Sequence, residues 1–307
     1  SKLMEKFEVN ILGCGSALPT AKHLNSSQVI NIREKLFMID CGEGTQIQLR
    51  KSKLHFGRLN HIFISHLHGD HFFGLIGLIS TFGMLNRTAK LHVYGPAPLE
   101  NVLRPQLEFF CKQLPFEVCV HEISSHKHDC IYEDNSVSVY TLPLTHRMPC
   151  CGFLFKEKPV LPHIRRDMID YYHIPVYCIQ DIKEGADFEL PDGRTVPNSR
   201  LVYPADAARS YAYCSDTLFK PSLSEYLQHV DLLYHEATFL SQDEARAKQT
   251  MHSTAANAAQ MAVLCKAKRL VIGHFSSRYT DETDLLEEAG SVFPNTLLAS
   301  ENLCLSV

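Results

Sequence analysis

The chain has 307 residues, 45% of them hydrophobic and 21% charged, with a formal net charge of −4. That length suits one large domain or two, and the composition excludes disordered and collagenous classes. No run reaches the roughly 20 consecutive apolar residues of a membrane-spanning helix, so no membrane partner is expected. A negative net charge gives no global attraction to nucleic acid, so any grip on phosphates has to come from a local patch.

Met4 reads as the natural start, with Ser1-Lys2-Leu3 preceding it, and the stretch from Ser1 to Phe7 lacks the apolar core of a signal peptide. The expected location is cytoplasmic. Eleven cysteines without a Cys-x-x-Cys pair, scattered through apolar runs such as those around Cys119 and Cys304, suit reduced and buried thiols. Seventeen histidines are the anomaly, because histidine is the commonest metal ligand and part of the set is clustered.

Taken in chain order, β-branched or alternating runs predict strands at 7–12, 28–32 and 36–40, and residues 42–51 read as helical. A short apolar strand at 60–64 leads into a long apolar helix at 71–85. Further strands are predicted at 90–94, 116–123, 137–142, 201–203, 211–214, 232–235, 269–273 and 297–305, with helices at 98–113, 223–229, 254–266 and 282–292. Strands interleaved with helices in two successive halves predict an α/β (α+β) four-layer αββα sandwich, two mixed sheets face to face with helices outside. A single domain is expected over 4–307. Residues 156–200, rich in Pro, Tyr and charge and poor in apolar periodicity, read as an inserted arm.

Ser65-His66-Leu67-His68-Gly69-Asp70-His71 places four ligand-type side chains within six residues, directly after a strand. A lone histidine is usually a satisfied core residue, but four such side chains in one turn point to metal. Alternation lets His66 and His68 project to one side, while Gly69 lets the chain turn so that Asp70 and His71 face a second centre. Two metals need more donors, and His146, Asp216 and His274 each follow a predicted strand, where rigid scaffolds mount functional side chains. By contrast, His61, His92, His121, His126 and His128 lie outside these motifs and read as structural or surface residues.

The His-x-His-x-Asp-His run with later His, Asp and His resembles the binuclear site of the metallo-β-lactamase superfamily. Smaller pieces resemble its ribonuclease Z branch: Asp40-Cys41-Gly42-Glu43-Gly44-Thr45-Gln46, Tyr213-Cys214-Ser215-Asp216-Thr217, His235-Glu236-Ala237-Thr238-Phe239 and His252-Ser253-Thr254-Ala255. The resemblance implies that His66, His68 and His146 hold one zinc, that Asp70, His71 and His274 hold the other, and that Asp216 bridges them. It further implies that Glu236 orients His252 beside the leaving oxygen, that Asp70 doubles as a proton acceptor, and that His235 is structural. Manganese or iron suits the same donors, and no organic cofactor is implied.

The activity implied is a zinc-dependent endoribonuclease that removes 3′ trailers from pre-tRNA and leaves a 3′-hydroxyl, working as a homodimer. Small-molecule phosphodiesterases and other hydrolases share this fold, and a non-catalytic zinc protein that binds RNA is the remaining class. The branch carries a Pro-x-Lys-x-Arg-Asn loop that meets the substrate. Here the loop reads Pro19-Thr20-Ala21-Lys22-His23-Leu24-Asn25, one residue longer and without the arginine, leaving Lys22 and Asn25 as substrate-side candidates. In the arm, Arg165, Arg166 and Lys183 are the corresponding candidates for phosphate contact, although Asp181 and Glu184 weaken the field around Lys183.

Overall fold

The computed structural model describes residues 4–307, so Ser1-Lys2-Leu3 lie outside the described residues. Two seven-stranded sheets dominate residues 5–156 and 209–307. The first runs in the order Cys304–Ser306, Phe7–Gly13, Ser27–Ile32, Lys35–Ile39, Leu59–Phe63, Leu91–Pro96, Val118–Ile123. The second runs Thr296–Leu298, Arg269–Gly273, Leu232–Glu236, Ser210–Cys214, Cys151–Glu157, Val137–Pro143, Cys130–Glu133.

Period-two alternation explains how the sheets meet. Phe7, Val9 and Ile11 are buried while Glu8 and Asn10 between them are partly exposed, so one face of the first sheet is apolar. It packs on the second sheet through Phe37, Phe63, Phe153, Phe155, Tyr211, Tyr213 and Tyr234. Tilted and edge-on ring pairs, Phe63 with Phe153 at 5.5 Å and Phe37 with Phe155 at 5.9 Å, each add about 0.5–1.5 kcal/mol beyond area burial.

Helices Leu75–Met84 and Leu99–Phe110 cover the outer face of the first sheet, and Ala255–Cys265 and Thr283–Val292 cover the second. The buried face of Ala255–Cys265 is built largely of alanines, whose small side chains let the helix lie close to the strands. A capping box of Thr254 and Asn257 starts it. This is the expected four-layer sandwich, and no helix among the described residues is long and apolar enough to cross a membrane.

Several local expectations are corrected. The run at 297–305 is two strands in different sheets, Thr296–Leu298 and Cys304–Ser306, because the polar turn Ser300-Glu301-Asn302 carries the chain from one sheet to the other. Cys304 is exposed on that edge strand, and Cys119 is only half-buried. The helix expected from residue 71 starts at Leu75, since Gly69–His71 is a separate 3₁₀ turn and Gly74 packs too tightly for a side chain, 2.1 Å from the Gly42 carbonyl oxygen to a built Cβ. Proline and serines reduce the helix expected at 223–229 to a 3₁₀ turn, Pro221–Glu225. The strand Cys151–Glu157 lies inside the second sheet and was not anticipated.

Residues 157–208 belong to a second compact unit. It has three short helices, Arg166–Tyr172, Ile179–Lys183 and Asn198–Leu201, and two pairs of two-residue strands. Ile174, Ile182, Val196, Leu201 and Val202 give it a small core of its own.

In both sheets an antiparallel half gives way to a parallel half: Lys35–Ile39, Leu59–Phe63, Leu91–Pro96 and Val118–Ile123 in one, and Ser210–Cys214, Leu232–Glu236, Arg269–Gly273 and Thr296–Leu298 in the other. Parallel strands discharge their loops at a common carboxyl edge, which is where open α/β sheets place ligand sites.

Candidate metal centre

Asp40, the His66–His71 run, Asp216, Glu236 and His274 all lie at or just past the carboxyl ends of parallel strands, and His146 follows the strand Val137–Pro143. Two groups of donors result: His66, His68, His146 and Asp216 in one, and Asp70, His71, Asp216 and His274 in the other, with the ligand atoms of each group within 4.8 Å of one another. Asp216 is common to both. The imidazoles of His66, His68 and His146 stand edge to face, with centroids 4.8, 5.3 and 5.1 Å apart.

Four of the five donor rings are held by their other nitrogen. His66 Nδ1 meets Ser65 Oγ at 2.8 Å, His71 Nδ1 meets Asp40 Oδ2 at 2.6 Å, His146 Nδ1 meets the Met251 carbonyl at 2.9 Å, and His274 Nδ1 meets Thr238 Oγ1 at 3.0 Å. Such outer partners fix tautomer and orientation so that Nε2 faces inward. The Nε2 atoms of His66, His71 and His146 are buried and make no hydrogen bond. An orphaned buried polar atom costs about 1–3 kcal/mol, and three pointing at shared carboxylates are best satisfied by cations. This donor set fits metal ions.

Asp40 is the hub of this arrangement. Fully buried at a φ of 59°, it accepts from Ser65 N and Ser65 Oγ at 2.8 Å each and from Tyr213 OH at 2.7 Å, besides His71. Burial, together with neighbouring histidines, holds His68 and His146 down at about pKa 4, and His66 is lowered by the same causes, so the three are neutral and able to donate a lone pair near neutrality. His71 is pulled the other way: burial lowers it, but Asp70, Asp216 and Asp40 outweigh that and raise it well above the usual range.

Beside the donors, Glu236 is fully buried and accepts from Thr217 N at 2.7 Å, Ser253 N at 3.1 Å, His252 Nδ1 at 2.9 Å and Thr238 Oγ1. Burial lowers His252, yet the Glu236 charge and hydrogen bond prevail and raise it to about 9. His252 is therefore a cation at neutral pH, stacked on His274 at 5.4 Å. His235 is buried and spends Nδ1 on the Glu236 carbonyl, consistent with a structural place.

A cleft of about 300 Å³ opens over His68, Asp70, Asp216, His252 and His274, and Ser16, Ala17, Leu18, Arg147, Arg246 and Arg278 are among the residues that wall it. Those three arginines were not singled out from sequence. The available signal was proximity along the chain, since Arg147 follows His146 directly and Arg278 stands four residues after His274.

The substrate-side candidates fare differently. Lys22 is exposed and pairs with Glu282 at 3.2 Å. Asn25 is buried, donating from Nδ2 to the Ser16 carbonyl at 2.9 Å, so it shapes the loop from within. Arg165 pairs with Asp167 at 2.9 Å and lies over Tyr203, Arg166 is exposed, and Lys183 is half-buried. All three belong to the smaller unit. His61, His92 and His121 stack in a column, and His128 stacks on Tyr140 and Tyr226.

Comparison with known proteins fixes the family. A ribonuclease Z from Bacteroides fragilis (strain YCH46) is 60% identical over 304 residues, covering 99% of this chain and 100% of the relative. The chain belongs to the ribonuclease Z family. A ribonuclease Z from Phocaeicola vulgatus is 61% identical over 304 residues, 99% of this chain and 98% of the relative. Among solved structures, the human short-form tRNase Z matches with a TM-score of 0.71 at 28% identity, covering 98% of this chain and 99% of that one. The metallo-β-lactamase fold protein YhfI from Bacillus subtilis matches with a TM-score of 0.69 at 15% identity over 99% and 100% of the two chains, a likeness of fold. Residues 7–161 match a family model described as anti-Pycsar protein Apyc1. This chain thus has the metallo-β-lactamase fold, with its candidate donors at the carboxyl edge of the parallel strands.

Proposed function

We infer that the chain is a metal-dependent endoribonuclease that cuts 3′ trailers from pre-tRNA and leaves a 3′-hydroxyl. Full-length identity near 60% to ribonuclease Z supports the substrate, and the convergence of seven His and Asp donors on one cleft supports the chemistry. In this reading His66, His68 and His146 would hold one zinc, Asp70, His71 and His274 would hold the other, and Asp216, common to both groups, would serve the two. When bound, such a pair ionises water near neutral pH and neutralises charge developing on the phosphate.

The chain's own groups then divide the work. Asp70 is pushed up by burial, but His71 and His274 outweigh this and hold it far below the usual carboxylate range, so it stays ionised at the cleft, where we assign it the role of proton acceptor. His252, kept protonated by Glu236, faces the cleft as the donor for the leaving oxygen. Arg147, Arg246 and Arg278 offer planar, permanently charged forks to the flanking phosphates of an RNA strand. They supply the local positive patch that a net charge of −4 denies the molecule as a whole.

We assign the smaller unit, with Arg165, Arg166 and Lys183, to tRNA contact outside the cleft, and the working assembly to a homodimer. Arg165→Glu/Arg166→Glu should weaken pre-tRNA binding and flatten its salt dependence; an unchanged salt slope overturns that assignment. The primary test is cleavage of a 3′-extended pre-tRNA by the zinc-loaded protein, with His68→Ala alongside and a chromogenic phosphodiester in parallel. Loss of both activities in His68→Ala is the expected result. Wild-type turnover of the small ester alone would retain the metal centre and reject the tRNA role.

A further inference from the structure

The loop that contributes Ser16, Ala17 and Leu18 to the wall of the cleft has an unusual foundation. Residues 17–22 form an exposed tip, with Leu18 63% exposed, while His23 and Asn25 at its base are buried. The loop leaves the first strand at Cys14, whose carbonyl accepts from the His274 amide at 2.8 Å, so its root is joined to the backbone that carries a candidate ligand. It closes through Gly15 N to the Leu24 carbonyl at 2.8 Å, and a Cβ at Gly15 would come within 2.9 Å of the His23 Cβ. Ser16, Ala17 and Leu18 then face the cleft.

Beneath the loop, His23 is caught between two carboxylates. Its Nδ1 lies 2.9 Å from both oxygens of Glu301, in the turn before the last strand, and its Nε2 lies 2.5 Å from Glu282, at the start of helix Thr283–Val292. A neutral imidazole has one N–H and can serve one of them; only the doubly protonated ring donates to both. Lys22 Nζ, 3.2 Å from Glu282, adds a second positive charge, so two carboxylates and two cations sum to zero in a largely buried cluster. Three further titratable groups border the cluster: Asp281 interacts with Lys22, Tyr234 with Cys14 and Glu301, and Cys14 itself, whose thiol burial followed by Glu301 raises well above the usual range, keeps an S–H that donates to Glu301 at 3.3 Å. The Phe275 ring closes the cluster at 5.9 Å.

We propose that His23 is a positioning residue, a buried imidazolium that clasps the 15–25 loop to Glu282 and Glu301 and so sets where the loop tip meets RNA at the cleft. The inference rests on the reading of that cleft as an RNA-cleaving site. Hydrogen bonds to Glu282 and then Glu301 raise His23 to about 9, so the clasp is closed at neutral pH and opens as pH rises through that value.

The experiment measures pre-tRNA cleavage by the full zinc-loaded chain for wild type, His23→Gln, His23→Arg and Glu282→Gln. His23→Gln, able to serve one carboxylate and uncharged, should raise KM about tenfold while moving kcat less, the loss of a charge-assisted contact. His23→Arg should recover most of the lost affinity. The ratio of wild-type to His23→Arg KM should climb above pH 9, a comparison in which titration of the metal centre cancels. If His23→Gln does not fold, Glu282→Gln reads the same effect from the other side of the clasp. An unchanged KM in both neutral variants, or His23→Arg as impaired as His23→Gln, overturns the proposal. So does a thiolate-to-cobalt absorption band that disappears in Cys14→Ser, because Cys14, His23 and Glu301 would then be metal ligands and the candidate metal centre contains no cysteine. A wild type that cuts no pre-tRNA overturns the functional reading instead.

Discussion

Replacing Asp40 by Asn tests whether the geometry of the candidate metal centre is imposed from behind. Oδ2 of Asp40 is the point where three donors meet, Ser65 Oγ at 2.8 Å, His71 Nδ1 at 2.6 Å and Tyr213 OH at 2.7 Å, while Oδ1 takes the Ser65 amide. If the amide NH₂ takes the place of Oδ2, both hydroxyls can rotate to accept, but His71 must then accept at Nδ1 and carry its proton on Nε2, the nitrogen needed for metal. If the amide flips, NH₂ meets the Ser65 N–H, which cannot rotate. Either orientation loses at least one hydrogen bond to a buried charge, worth about 1.5–3 kcal/mol. The expected outcome is a stability loss of about 2–4 kcal/mol for the metal-free protein and zinc affinity down by about ten- to a hundredfold, the range for outer partners of ligating histidines. Chemical denaturation and competition with a chromophoric chelator measure the two. Zinc affinity within about twofold of wild type would refute the argument that Asp40 sets the His71 tautomer.

His252→Asn should cut the rate of cleavage by about 10²–10⁴ while leaving zinc content intact, measured by single-turnover kinetics and metal analysis. The His252–Glu236 pair also makes a signed pH prediction. With His252 raised to about 9, its stabilisation is complete below the unfolded histidine value of about 6.5 and fades as pH rises through 9, whereas Glu236, lowered despite its burial, contributes above its ordinary range and loses that contribution only in acid. Denaturation midpoints of His252→Asn and wild type should therefore converge in the alkaline range. Arg147→Ala, Arg246→Ala and Arg278→Ala should each weaken pre-tRNA binding and lower the slope of affinity against salt by about one phosphate contact, read from binding at several ionic strengths.

The candidate metal centre was the most legible feature because its donor side chains are concentrated along the chain. His66, His68, Asp70 and His71 share one turn, and no core or surface role accounts for four such side chains together. Their partners were legible one step less directly, since His146, Asp216 and His274 each end a strand that its own β-branched run announces. Asp40 also ends a predicted strand and opens one of the stretches that resemble the ribonuclease Z branch, but neither feature points to its role as the hub beneath the donors. It stands 26 residues before His66, its role comes only from the turn that brings it under Ser65 and His71, and a lone aspartate after a strand looks like any turn residue. The arginines of the cleft were hidden for a similar reason, because a surface arginine and a phosphate-binding arginine have the same local sequence.

The loop shows the limit most sharply. From its letters, Lys22 and Asn25 read as substrate-side and His23 has no assigned role. Folding reverses the roles: Asn25 turns inward to hold Ser16, and His23 is pinned by Glu282 and Glu301, which lie 259 and 278 residues away along the chain. Hydrophobic period, turn residues and ligand density are local quantities, and they determined most of the strands, the four layers and the candidate metal-binding run. Which carboxylate faces which imidazole depends on how two sheets superimpose their carboxyl edges, a nonlocal outcome of packing Phe37, Phe63, Phe153 and Tyr213 into one core, and only the tertiary structure decided it.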